Sequence, residues 1–169
     1  PQQSRRSPLI KDEVDTLWLL HGMGDNQTAW QRRTSIERYI EGRRRPMAVI
    51  MPCGHTSSYC DMVHGGKYFT YITDELPRIM RCFFPLLSDR RERNYIAGLS
   101  MGSYGSMRIA LLHPERYAAV GGFSGGSLLS PETDSDPWIL RLVNEQNLRV
   151  YGLGENESAK GTHNDVIWL

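Results

Sequence analysis

No stretch of this sequence is long and apolar enough for a membrane span, and none forms an internal repeat or a low-complexity tract. Neither sign of charge dominates. Twenty Lys and Arg stand against 19 Asp and Glu, a formal net charge of +1, which speaks against a general affinity for nucleic acid or for acidic membranes. The basic runs Arg43-Arg44-Arg45 and Arg90-Arg91 are short and fall between elements, so they read as solvated loops. Cysteine is scarce: Cys53, Cys60 and Cys82 cannot all pair within the chain and have no metal-ligand spacing. Structural thiols in a reducing, cytoplasmic compartment are expected, with no metal. Pro1 to Pro8 are polar and basic without an apolar run behind them, so no signal peptide is visible, and the absence of an initial methionine points to a cleaved or trimmed N-terminus. The remainder, 40% hydrophobic and 23% charged over 169 residues, has the composition of one globular domain, residues 1–169.

Apolar runs and breakers alternate along the chain. Thr16-Leu17-Trp18-Leu19-Leu20 is apolar on both faces, as a central parallel strand requires, and ends in His21-Gly22-Met23-Gly24, a glycine-rich loop where such sheets place ligands. Thr34 and Glu37 have capping-box spacing for a short helix through Ile36, Tyr39 and Ile40, closed by Gly42. Met47 to Met51 reads as a second strand, stopped by Pro52. Residues 53–66 form a long polar loop. Phe69, Ile72, Leu76, Met80 and Phe83 then share one helical face, with a kink expected at Pro77. After a strand over residues 118–123, the pattern weakens to a loop over 131–137, helical turns over 138–143, a short strand over 148–151 and an irregular tail. Strand and helix in alternation imply a parallel sheet covered on both faces.

The chemistry concentrates at Gly98-Leu99-Ser100-Met101-Gly102. An apolar strand over 94–97 precedes it, and a helix with Tyr104, Met107, Ile109, Ala110 and Leu111 on its apolar face follows until Pro114. This is the G-x-S-x-G arrangement of a nucleophile elbow: a hard turn exposes the serine hydroxyl, and the glycines let strand and helix approach. The helix start turns unpaired N–H groups toward a developing oxyanion. Ser100 is therefore the expected nucleophile and the N–H of Met101 an oxyanion donor; the second donor is expected from Met23, with Gly24 the neighbouring alternative. His21 is read as shaping its loop rather than acting as a base.

Leu19-Leu20-His21-Gly22-Met23 followed by Trp30, Met51-Pro52 followed by Tyr59 and Asp61, Asp74-Glu75-Leu76-Pro77, Ala97 to Gly102 with Tyr104-Gly105, and Phe123-Ser124-Gly125 together resemble the tributyrin esterase group of the esterase D family. Its relatives include S-formylglutathione hydrolases, feruloyl and acetyl esterases and mycolyltransferases. The resemblance runs in order from about Leu17 to Ser127 and patchily beyond. It implies an α/β-hydrolase fold with a mostly parallel central sheet in three layers, Ser100 as nucleophile, no cofactor, and short-acyl esters as substrates. Ser103 stands where the family usually has a second glycine. Trp30, Tyr59 and His64 are the residues expected to line the substrate pocket.

In that family the catalytic acid and histidine follow later strands, so both are expected beyond residue 169 and the chain reads as C-terminally incomplete. A competing alignment makes His163 the histidine, with Glu155 or Glu157 as acid. His113 lies at the far end of the elbow helix, nearly 20 Å away at about 1.5 Å per residue, too far for proton transfer. The expected activity is a serine carboxylesterase acting on a small-molecule ester through an acyl-enzyme. The alternative is a non-catalytic member of the fold that binds a ligand or partner. A sheet lacking its last strands would also have an open edge, so weak stability or a homo-oligomer belongs to the same expectation.

Overall fold

Four parallel strands, in the spatial order β2-β1-β3-β4, form the centre of the computed structural model, which describes residues 13–125, 137–154 and 157–169. They are β1 (Asp15–Leu20), β2 (Met47–Ile50), β3 (Asn94–Leu99) and β4 (Ala119–Phe123). The most continuous apolar run takes a central place. β1 pairs Thr16 to Leu20 with Asn94 to Gly98 on one side and Asp15 to Trp18 with Met47 to Ile50 on the other. Trp18, Leu20, Ile50, Ile96, Met101 and Ile109 form the main core with Tyr59 and Ile72; each such side chain contributes roughly 1.5–3 kcal/mol by leaving water. β4 pairs with β3 alone among the described residues, and its Val120 and Phe123 are exposed.

The helices follow the sequence pattern with three differences. A short helix, α1 (Ala29–Arg33), precedes α2 (Ile36–Glu41), and the expected capping box does not form. The Thr34 hydroxyl donates to the Trp30 carbonyl at 2.5 Å and Glu37 accepts from Gln31 at 3.0 Å, so neither side chain is free to cap α2. Instead of a simple kink, Pro77 follows a wide turn: α3 (Tyr68–Thr70) passes through a π-turn at Tyr71–Glu75 into α4 (Leu76–Phe83). Proline has no N–H to give the Thr73 carbonyl four residues back, and Arg116 Nη1 donates to that carbonyl at 2.6 Å instead. The elbow helix, α5 (Met101–Leu112), ends before Pro114 as expected.

The third difference lies toward the C-terminus, where α6 (Pro137–Tyr151) takes in residues 148–151, expected as a strand. Val143, Asn147 and Val150 are buried at spacings of four and three, a helical face. Val150 packs into a second cluster with Cys60, Met62, Tyr104 and Ala159. The tail over 157–169 lacks helix and strand yet is tied down. Tyr104 donates to the Asn164 carbonyl at 2.6 Å, and Arg108 Nε to the His163 carbonyl at 3.1 Å. The loop expected over 131–137 lies outside the described residues up to position 136, as does Glu155.

Candidate active site

The turn between β3 and α5 is built by what the glycines leave out. A Cβ on Gly98 would stand 2.2 Å from the Gly102 carbonyl oxygen, and one on Gly102 would stand 2.5 Å from that of Leu20. With both absent, strand and helix close on each other and force Ser100 to φ +53°, ψ −115°, a conformation that L-residues rarely adopt. The Ser100 N–H donates to the Phe123 carbonyl at 2.8 Å, which ties the elbow to the end of β4. Its side chain is exposed, at the mouth of a cavity of about 250 Å³ bounded by His21 to Asp25, Trp30 and Leu99. The Met101 side chain is fully buried in the core while its N–H opens α5 beside Ser100 without a backbone acceptor among the described residues.

The loop after β1 supplies the opposite wall. Gly22 comes within reach of the elbow, since a Cβ there would meet the Ser100 Cβ at 3.6 Å. The N–H groups of Met23 and Gly24 have no backbone acceptor among the described residues, and both residues line the cavity. The loop is held from beneath. His21 is almost wholly buried, its Nε2 accepts from the Gly54 N–H at 2.9 Å, and its Nδ1 lies 2.7 Å from the Gly22 carbonyl. Those partners require the neutral ring with the proton on Nδ1, so His21 shapes the loop, as the sequence reading has it.

Of the three side chains expected along the substrate pocket, the structure brings only Trp30 there. Its indole donates to the Leu20 carbonyl at 3.1 Å, and its ring meets Phe123 edge-on at 6.3 Å. Tyr59 is fully buried instead, in a slot that Gly54 and Gly105 leave open, and its hydroxyl donates to the His21 carbonyl at 2.9 Å. Burial pushes that hydroxyl far above its usual range, so it stays protonated and acts as a strut under the loop. His64 is exposed outside the cavity, its backbone paired with Arg149. The remaining histidines are elsewhere: His113 stacks on Phe69, His55 meets Tyr68 edge-on, and His163 is exposed on the tail. Among the described residues, no histidine with a free ring nitrogen lines the cavity.

Sequence reasoning missed the rim. Asp25 binds Arg32 and, at 3.0 Å, Arg33, which ties the last turn of α1 to the loop. The Asn26 N–H, ahead of the two guanidiniums, holds the Asp25 carboxyl below its usual range. A lowered folded-state pKa means that this tie is complete above the ordinary carboxylate range and is lost as pH falls through the Asp25 value. An NMR titration should therefore show Asp25 ionising below a model aspartate, and the chemical shifts of Met23 and Gly24 should follow the same midpoint. A midpoint at or above the model value would contradict the tie.

The sequence pattern of the family described as "Putative esterase" matches residues 9–169. An acetyl esterase of Caldicellulosiruptor saccharolyticus is 30% identical over 121 residues, which are 71% of this chain and 44% of that protein. Among solved structures, the fluorophosphonate-binding serine hydrolase F of Staphylococcus aureus, with substrate bound, aligns with a TM-score of 0.75 at 31% identity. The S-formylglutathione hydrolase of Staphylococcus aureus, as the apoenzyme, aligns with a TM-score of 0.71 at 33% identity. Each alignment covers 99% of this chain and 62% of the solved one. The chain thus spans less than two thirds of these relatives.

Proposed function

The chain belongs to the Esterase family, and on that premise we propose that the protein is a serine carboxylesterase that cleaves short-chain acyl esters, as the tributyrin esterase group of the esterase D family does. Its fold is that of the α/β-hydrolases. The observation that carries the proposal is the exposed Ser100 at φ +53°, at the start of a helix and beside a cavity walled by the Gly22-Met23-Gly24 loop. A strained serine at such a turn is costly to keep unless its hydroxyl is used.

In the proposed reaction the Ser100 Oγ attacks the ester carbonyl carbon while a base takes its proton. The N–H groups of Met101 and Met23 donate to the tetrahedral oxyanion, where charge develops. Collapse breaks the bond to the alcohol oxygen, which leaves with the proton, and the acyl group stays on Ser100. Water then attacks the acyl-enzyme with the same base, returning serine and the free acid. The described residues offer no histidine for this task, so we assign the base and its carboxylate to residues other than those described. Acyl transfer of this kind needs neither metal nor cofactor. The three free thiols go with a cytoplasmic setting. No helix among the described residues is long and apolar enough to cross a membrane.

A cavity of about 250 Å³ suits a small acyl group. The full-length protein should hydrolyse p-nitrophenyl acetate and butyrate with kcat/KM at least about tenfold above that for the palmitate. Equal rates across the series would remove the short-chain reading. No turnover of any ester would favour the alternative, a non-catalytic ligand- or partner-binding protein, with which the lack of a free histidine at the cavity among the described residues is consistent.

A further inference from the structure

The two arginine runs that read as separate solvated loops meet in the fold. β2 and β3 both pair in parallel with β1, so the segments leading into them, Arg44-Arg45-Pro46 and Arg90 to Arg93, flank the start of the same strand. Two strand spacings, about 10 Å, separate the walls so formed. The result is a cleft of about 520 Å³ bounded by Glu13, Arg44, Arg45, Pro46, Arg90 and Arg93. It sits at the amino ends of the strands. Ser100 is at the carboxyl end of β3, about 20 Å away for a strand of this length.

Donors in the cleft outnumber acceptors. Glu13 is the one acidic residue of its lining, and it is already engaged by the Ser88 hydroxyl at 3.0 Å, Arg90 Nε at 3.1 Å and Arg93 Nε at 3.6 Å. Arg90 pairs through Nε with Glu13 and, at 3.4 Å, with Glu92, which lies outside the lining. Arg93 is anchored through Nη1 to the Glu13 carbonyl at 2.7 Å and to Asp15 at 3.5 Å. Arg44 and Arg45, on the facing wall, have no ion pair with any described residue.

We propose that this cleft binds a compact anion carrying two phosphoryl groups, one for each wall. Guanidinium forks fit phosphoryl oxygens two at a time, and all four cations of the lining are arginine. The concave shape and the net charge of +1 favour a small ligand over a long polyanion, whose affinity would rest on a broad basic surface. The inference does not depend on the esterase reading.

Isothermal titration of magnesium-free pyrophosphate into the purified protein at low ionic strength tests it. One saturable site is expected, with orthophosphate binding more weakly, and the combined variant R44Q/R45Q should weaken pyrophosphate by at least about tenfold. Neither arginine holds an ion pair with a described residue, so the variant should keep the wild-type melting temperature, and its Ser100 should react with a fluorophosphonate as in the wild type. No saturable heat, unchanged affinity in R44Q/R45Q, or heparin binding that pyrophosphate does not displace would each overturn the proposal.

Discussion

Replacing Ser100 with alanine is expected to lower kcat/KM for short-chain esters in the full-length protein by at least about a thousandfold while leaving the fold intact. The loss is large because no other described side chain at the cavity combines a hydroxyl with exposure and a place beside the expected oxyanion donors. The fold should survive because alanine at φ +53° is no more strained than serine, and the structural tie at this position is the Ser100 backbone N–H on the Phe123 carbonyl, which the substitution keeps. A small residual rate over water is expected, since the oxyanion N–H groups still stabilise attack by water. A variant within tenfold of the wild type would mean that chemistry occurs elsewhere.

The second large effect is on stability. Gly98→Ala would bring a methyl to 2.2 Å from the Gly102 oxygen and 2.3 Å from its carbonyl carbon, a clash of backbone with backbone. Gly102 cannot retreat, because it is itself packed on the Leu20 and His21 carbonyls. The elbow must open, at a cost above about 3 kcal/mol, which urea denaturation would read as a lowered midpoint. Gly24→Ala is the control. There φ is +77° but nothing lies within 4 Å of the added methyl, so only the backbone penalty of about 1–2 kcal/mol applies. Equal losses in the two variants would contradict the claim that close approach, rather than handedness, requires glycine at position 98.

Much of this architecture is legible in the sequence because its causes are local. The apolar run of β1, the glycines on either side of Ser100 and the proline after α5 each act within a few residues, and the structure follows them. Other features depend on partners far along the chain. Tyr59 reads as a pocket residue because it lies in a long loop, yet its slot is cut by Gly54 and by Gly105 on another element, and positive φ values at His55, Ser58 and Tyr59 turn it inward. Residues 148–151 carry too short a pattern to separate strand from helix until Val150 meets Cys60 and Tyr104 in the second cluster. Thr34 and Glu37 have the right spacing for a cap, but Trp30 and Gln31 engage them first. Arg43-Arg44-Arg45 lies in a loop, as expected, whereas Arg91 opens a 3-10 turn, Arg91–Arg93; only the parallel pairing about β1 makes the two runs face each other.

The reactivity of one hydroxyl decides the functional reading. Treating the full-length protein with a fluorophosphonate and mapping the adduct by peptide mass spectrometry should place one phosphonyl group on Ser100, with none in the Ser100→Ala variant. An adduct confined to another residue, or no adduct on a folded protein, would contradict it.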